Sequence, residues 1–182
     1  VVSGFDENRQ DYTDSKTFAV NETEEYRYVR FLKDMSMDEG SSKYNIGFVE
    51  VEVYTTLNLR NVAKNKITTV SSYANGVEGP GNVTDGDYTN YFANGAPPTD
   101  GSPVFATINL EKPYTIDEIW MCGRNQNWGN GLVEQMDFKI QLSNDANFAA
   151  ASTVDITDFD KYAGQEKAYV SFAREVVTTD VK

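Results

Sequence analysis

The sequence contains no histidine and a single cysteine, Cys122. Catalytic triads of the Ser-His-Asp and Cys-His types and zinc sites built on histidine are therefore excluded. One cysteine cannot form a disulfide within the chain, and this alone does not assign a cellular compartment. Any enzymatic chemistry here would have to use paired carboxylates, tyrosine or lysine.

Basic residues are also scarce, with 16 Lys and Arg against 28 Asp and Glu and a formal net charge of −12. Such a surface repels phosphate backbones and anionic lipid headgroups, so nucleic-acid and membrane binding are disfavoured. No apolar run approaches the roughly 18 residues of a membrane-spanning segment. The chain opens VVSGF without Met and shows no signal peptide, which predicts excision from a longer precursor.

What the chain does have is enough apolar material for one good-sized domain, with 182 residues of which 40% are hydrophobic and 13% aromatic. Apolar and polar residues alternate in FVEVEVYTT, VFATINL and MDFKIQLS, which predicts half-buried β-strands. The residues expected to share the core-facing sides are Val49, Val51, Val53, Val104, Ala106, Ile108, Leu110, Met136, Phe138, Ile140 and Leu142. Glu50 and Glu52 are expected on the opposite face. Because no long segment keeps a helical period, we predict an all-β antiparallel sandwich.

An internal echo suggests a repeat of domain size. Residues 1–28 can be placed on residues 155–182 with several identical or similar positions. The identical pairs are Phe5 and Phe159, Asp6 and Asp160, Phe18 and Phe172, and Ala19 and Ala173.

Residues 61 to about 146 carry a series of motifs in a recognisable order. They are NVAKNKITTVSSYANG, then GNVTDGDYTNYF, then ATINLEKPYTIDEIWMCGRNQNWGNGLVEQMDFKIQLSND. This series resembles the factor V/VIII type C (discoidin) domains, and within them it looks most like the bacterial family 32 carbohydrate-binding modules. The resemblance implies a jelly-roll sandwich like that of galactose-binding domains, with no catalytic role.

The closing strands of that family precede its opening motifs in this chain. The segment from YRYVRF to VEVEVY, residues 26–56, resembles the usual end of such a domain. We therefore expect a closing-strand segment at 1–57 and a discoidin-like sandwich at 58–182. A sandwich without its closing strands would expose hydrogen-bonding edges and half a core, which favours one compact unit in permuted order. A junction between tandem repeats and completion by a neighbouring molecule are the alternatives.

The stretch NVTDGDYTNYFANG, residues 82–95, has two interpretations. Asn, Asp and Gly are the residues of tight turns, and a metal-free turn would account for them. Loop carboxylates and carbonyls are also what calcium binds, although the EF-hand pattern is absent. The family resemblance implies a structural calcium held by Asp85, the backbone of Asp87, Asn90 and Glu50. It also places Phe92 in the core.

The stretch GRNQNWGNG is the candidate ligand loop. In galactose-binding relatives, the residues corresponding to Arg124 and Asn130 hydrogen-bond sugar hydroxyls. Sugars also need an aromatic plate against their C–H face, and Trp128 could supply it. Tyr44 corresponds to an aromatic residue of the last loop in relatives. Alternatively, Arg124 forms a surface ion pair and Trp128 packs the loop.

Two departures argue against simple galactose binding, because Ala93 and Ala96 stand where such relatives carry His and Trp.

The leading hypothesis is a non-catalytic carbohydrate-binding module of a secreted or cell-surface bacterial protein, with neutral sugars favoured by the negative charge. Its parent would carry tandem repeats or a catalytic domain. The second hypothesis is a structural or protein-binding spacer of a surface adhesin. A glycosidase with two carboxylates is disfavoured, since no pocket signature accompanies the acidic pairs.

Overall fold

The computed structural model describes residues 15–20, 22–34, 46–55, 60–123, 125–126, 132–133 and 138–156. Within these ranges the chain forms β-strands and two short 3-10 turns, at Pro80–Val83 and Ala150–Ser152. The strands are β1 (Ser15–Ala19), β2 (Glu25–Lys33), β3 (Gly47–Thr55), β4 (Thr68–Val70), β5 (Phe92–Ala93), β6 (Val104–Gly123), β7 (Asn125–Gln126), β8 (Leu132–Val133), β9 (Lys139–Ser143) and β10 (Thr153–Ile156). The described part of the chain contains no helix with the length and hydrophobicity of a transmembrane segment.

Strand β6 takes part in both layers of the fold. Its first half pairs with β2 and β4, and its second half pairs with β1 and β3. Between the halves, Glu111 has φ 72, in the left-handed region that non-glycine residues rarely adopt. The Asn109 side chain accepts a hydrogen bond from the Glu111 amide (2.9 Å), and Lys66 forms an ion pair with the Glu111 carboxylate. These contacts hold the corner at which β6 leaves one sheet and enters the other.

The pairings give one sheet in the order β10-β9-β2-β6-β4 and a second in the order β5-β3-β6-β1. Every described pairing is antiparallel, so the all-β antiparallel fold predicted from the sequence is confirmed. Strand β2 lies between β9 and β6, and β3 lies between β6 and β5. Two central strands therefore come from the 26–56 segment. The predicted division of the chain into a closing-strand segment at 1–57 and a sandwich at 58–182 stays a prediction.

Aromatic rings fill much of the space between the sheets. Phe31 packs against Phe48 and Phe138, with ring centroids 4.8 and 5.7 Å apart, and Phe18 lies edge-on to Phe138 at 6.2 Å. Phe92 is fully buried, as predicted. The predicted core residues that are buried include Val51, Val53, Val104, Ala106, Ile108, Leu110, Phe138, Ile140 and Leu142. Met136 lies outside the described residues.

A β-bulge in β3 corrects one predicted core residue. The register of β3 against β6 shifts between Phe48 and Glu50, so Val49 has no partner of its own. The extra residue puts Phe48 in the core with Val51, and Val49 packs instead on the outer face, against a small cluster containing Trp120. The expectation that Val49 shares the core face of Val51 is therefore wrong, because strict alternation does not survive a bulge.

Candidate functional site

The aspartate loop (residues 84–90) is built on consecutive side-chain turns. Asp85 Oδ1 accepts a hydrogen bond from the Asp87 amide (2.8 Å), and Asp87 Oδ1 accepts bonds from the Thr89 amide (2.9 Å) and hydroxyl (2.6 Å). Gly86, between the aspartates, has φ 79. A side chain would be strained at this φ, which explains the glycine between the two acids.

Glu50 lies beneath the loop on β3 and has no solvent exposure. Its Oε2 accepts a hydrogen bond from the Gly86 amide (3.0 Å), whereas its Oε1 has no hydrogen-bond partner among the described residues. Burial raises the pKa of Glu50 to about 9, with smaller contributions from Asp85 and Glu52 against the lowering effects of Gly86 and Lys64. A buried acid with an unused oxygen is costly unless another group satisfies it.

Asn90 presents a second unused oxygen. Its amide nitrogen donates to Asp85 Oδ2 (2.9 Å), while its Oδ1 is buried and unpartnered within the described part of the chain. Asp85 thus orients the Asn90 side chain and keeps the amide oxygen out of the turn network. Glu50 and Asn90, which carry these two unpartnered oxygens, are among the metal ligands that the family resemblance implied.

The Asp87 carboxylate is already engaged with Thr89, as the two Asp85 oxygens are engaged with the Asp87 amide and with Asn90. The Thr89 hydroxyl and amide hold the pKa of Asp87 below its ordinary value. This leaves its backbone carbonyl as the group it could offer a cation, as the family resemblance implied. The described residues contain no cluster of three or more Asp, Glu, His or Cys side chains suited to a metal. Any cation here would therefore need amide and carbonyl oxygens as well as carboxylates.

These donors fit a hard divalent cation such as calcium, which binds carboxylate, amide and carbonyl oxygens together. Asp85 and Glu50 would supply the carboxylates, and Asn90 the amide oxygen. The unpartnered Glu50 Oε1 and Asn90 Oδ1 are the observations that favour this assignment over a metal-free turn.

A second acid, Glu52, lies beside Glu50 on the same face of β3 and is 2% exposed. It accepts hydrogen bonds from the hydroxyls of Tyr54 (2.5 Å) and Tyr88 (2.6 Å). Sequence reasoning did not identify Glu52, Tyr54 or Tyr88 as site residues. The available signals were the two-residue spacing of Glu50 and Glu52 on one strand face and the tyrosine directly after the DGD motif.

All four predicted ligand-face residues, Arg124, Trp128, Asn130 and Tyr44, lie outside the described residues. The neighbouring described residues define one end of the sandwich. Gly123 closes β6 opposite Phe48, and the Ile46 carbonyl accepts a hydrogen bond from the Asn94 amide (3.1 Å). The strand ends that lead into the two predicted ligand loops are therefore close together.

Two described loops, residues 71–79 and 94–102, meet at this end. The Gly95 amide donates to the Ser72 hydroxyl (3.1 Å), and the Ala74 amide donates to the Ala93 carbonyl (3.0 Å). Tyr73 is 52% exposed and Val77 is 81% exposed. The first loop thus presents apolar side chains to solvent.

Asn94 is a further polar residue at this end that sequence reasoning missed. It is fully buried, its amide nitrogen donates to the Ala96 carbonyl, and its Oδ1 has no partner among the described residues. The adjacent positions singled out in the sequence differ from it, since Ala93 is buried and Ala96 is exposed. The buried Ala93 presents no side chain to solvent, and Ala96 presents only a methyl group.

Comparison with known proteins adds one match. The family model described as F5/8 type C domain matches residues 66–182, which is more than half of the chain. The matched region begins after β3, so the three strands that precede it lie outside the match. No curated protein and no solved structure matches the chain.

Proposed function

Because the chain belongs to the F5/8 type C domain family, whose members are generally non-catalytic and often bind carbohydrates or other ligands, we propose that it is a carbohydrate-binding module with a structural calcium ion. The observation that carries the proposal is the family match over residues 66–182. The composition agrees with it, since a chain without histidine lacks the commonest general acid–base residue.

The calcium part of the proposal is supported by the oxygen donors around the aspartate loop. Glu50, Asp85, Asn90 and the backbone of Asp87 would hold the ion. When bound, calcium would replace the proton of the buried Glu50 and stabilise the folded chain by mass action. Its role would be structural, because all the proposed donors are groups of the protein and none of them is a substrate.

The sugar is proposed to bind on the loop face that includes Arg124, Trp128 and Asn130, with Tyr44 beside them. Arg and Asn offer several planar donors and acceptors to hydroxyl groups, and Trp offers a flat apolar surface to the C–H face. The net charge of −12 favours neutral sugars over uronic or sialic acids.

The chain is further proposed to be part of a longer extracellular or cell-surface bacterial protein. A single sugar contact of this kind is weak, and repeated copies on one surface would raise the overall affinity. Tandem repeats or a neighbouring catalytic domain would provide that arrangement. The echo between residues 1–28 and 155–182 supports the tandem form.

The alternative function is a spacer or protein-binding repeat of a surface adhesin. It is favoured by the alanines at positions 93 and 96, which remove two side chains that a galactose site would use. In this alternative the fold and the calcium site are retained, and no glycan binds.

The test is a glycan screen of the calcium-loaded protein, followed by calorimetry of any neutral glycan that binds. Trp128→Ala is expected to abolish binding while changing the free energy of unfolding by no more than about 0.5 kcal/mol. Ile67→Ala is the matched control, because Ile67 is 70% exposed and precedes β4 at the end remote from residues 71–79. If no glycan binds in the screen, the carbohydrate-binding proposal is contradicted and the spacer alternative is favoured. An unfolded Trp128→Ala variant would make Trp128 a packing residue.

A further inference from the structure

We infer that Glu52 is a positioning residue, which fixes the aspartate loop on strand β3 through the hydroxyl of Tyr88. The inference concerns how the loop is held, and its consequence for cation binding rests on the proposed calcium site. It goes beyond the ligands themselves, because neither Glu52 nor Tyr88 belongs to the predicted oxygen set.

The first support is the use of both carboxylate oxygens of Glu52. Tyr88 donates to Oε1 at 2.6 Å, and Tyr54 donates to Oε2 at 2.5 Å. Tyr54 lies on the same strand as Glu52, so its bond orients the carboxylate without joining two elements. Tyr88 lies in the aspartate loop, so its bond ties that loop to the sheet. The Tyr54 hydroxyl therefore orients the Glu52 carboxylate, whereas the Tyr88 hydroxyl connects the aspartate loop to β3.

The second support is the setting of these bonds. Glu52 is 2% exposed and faces Trp120 across the β3–β6 pair, and Trp120 is 1% exposed. The Tyr88 ring lies edge-on to the Trp120 ring, with centroids 6.2 Å apart and planes at 69°. Because Glu52 and Trp120 are buried, a carboxyl oxygen of Glu52 that loses its phenol is costly to leave without a partner.

The third support is the contrast between the two neighbouring glutamates. Glu50 accepts from the Gly86 amide with one oxygen, and its other oxygen has no partner among the described residues. Glu52, by contrast, accepts a phenol hydroxyl on each of its two oxygens. The loop is thus anchored to β3 at two points, Gly86 and Tyr88, and only the first acid keeps an oxygen for a cation.

This anchoring can be measured without any cation. In the metal-free protein, Tyr88→Phe is expected to accelerate hydrogen exchange of the Gly86, Asp87 and Thr89 amides by about tenfold or more, because the loop loses its hydrogen bond to a buried carboxyl group on β3. Tyr54→Phe removes the other phenol from the same carboxylate but leaves the loop tethered. Its exchange at these amides should stay within about twofold of the wild type.

Tyr91→Phe is the matched control from the neighbouring chain. Tyr91 follows the loop directly and donates its hydroxyl to Glu78 (2.9 Å), away from Glu52. Equal exchange in Tyr88→Phe and wild type would overturn the inference. Equal acceleration in all three variants would also overturn it, since the effect would then be general destabilisation.

The consequence for cation binding is tested by titration with calcium and with terbium, whose luminescence is sensitised by nearby Trp and Tyr. Tyr88→Phe and Glu52→Gln are expected to weaken binding roughly 10- to 100-fold, as the loss of a group that orients metal ligands does. Tyr54→Phe and Tyr91→Phe should bind within about twofold of the wild type. Wild-type affinity in Tyr88→Phe would overturn the positioning role.

The calcium titration and the hydrogen-exchange experiment distinguish a failure of the calcium proposal from a failure of the positioning role of Glu52. A wild type that binds neither calcium nor terbium would refute the calcium site. The exchange experiment would then still decide whether Glu52 and Tyr88 hold the loop.

Discussion

At the scale of single residues, the buried carboxyl of Glu50 dominates the electrostatics of the site. Its pKa is raised from 4.5 to about 9, chiefly by burial, so the folded chain holds a proton there that the unfolded chain has lost at neutral pH. By linkage, the stability that this group contributes is fully present below about 4.5 and is lost as the pH rises toward 9. A cation at Glu50 would have to displace that proton, so cation binding should strengthen as the pH rises.

We therefore predict that the melting temperature of the chelator-treated wild type falls, relative to Glu50→Gln, as the pH rises from about 5 to 8.5. Calcium should raise the melting temperature of the wild type, more at the upper end of this range, because it replaces the proton. It should leave Glu50→Gln unchanged. Differential scanning fluorimetry at each pH gives the comparison. A calcium response that is equal in both proteins would remove Glu50 from the site.

At the scale of elements, the bulge at Val49 decides which residues of β3 enter the core. Phe48 is fully buried and packs against Phe31 and Phe92, with ring centroids 4.8 and 6.3 Å apart. Val49 is partly buried on the outer face. The same bulge precedes Glu50 and Glu52, so it also sets the face from which both acids meet the aspartate loop.

Replacing these two neighbours should therefore have unequal effects. Phe48→Ala is expected to lower the free energy of unfolding by about 3–5 kcal/mol, because it leaves a cavity between the sheets. Val49→Ala should cost less than about 1.5 kcal/mol, since its side chain is only partly buried. Urea unfolding of both variants measures the difference. Equal losses would mean that β3 alternates without a bulge.

The strands whose apolar and polar residues alternate regularly could be predicted from the sequence. The alternation in VFATINL and the burial of Phe138, Ile140 and Leu142 follow from period-two spacing alone. The bulge at Val49 could not be predicted, because an extra residue in a ladder leaves no mark on composition. The Tyr88 hydroxyl on Glu52 could not be predicted either, since these two residues are 36 positions apart in the chain and meet only after the fold has formed.

At the scale of the whole molecule, the family match and the sheets divide the chain differently. The match covers residues 66–182, whereas β2 and β3 precede it and occupy inner positions of the two sheets. A polypeptide of residues 61–182 would lack both strands. It would expose the unpaired edges of β6 and β9 and the core residues they cover.

We predict that the 61–182 polypeptide does not fold by itself and that a separate 1–56 polypeptide restores the fold when added. The regained ladder hydrogen bonds and the buried faces of β2 and β3 drive the recovery. Circular dichroism and size-exclusion chromatography of each piece, and of the mixture, provide the readout. A 61–182 piece that folds alone as a monomer would support the tandem-junction alternative.

The corner at Glu111, which lets β6 serve both sheets, also governs the kinetics of folding. Strands β1, β2, β3 and β4 all hydrogen-bond to β6, and all of them precede it in the chain. Neither sheet can be completed until β6 is in place, so the two should form in one cooperative step. The partners of β6 are far from it in sequence, and such long-range pairing is typical of β-proteins that fold in milliseconds to seconds. During synthesis, β1, β2 and β4 therefore lack their β6 ladder until β6 has been made, and β3 can pair only with the short β5.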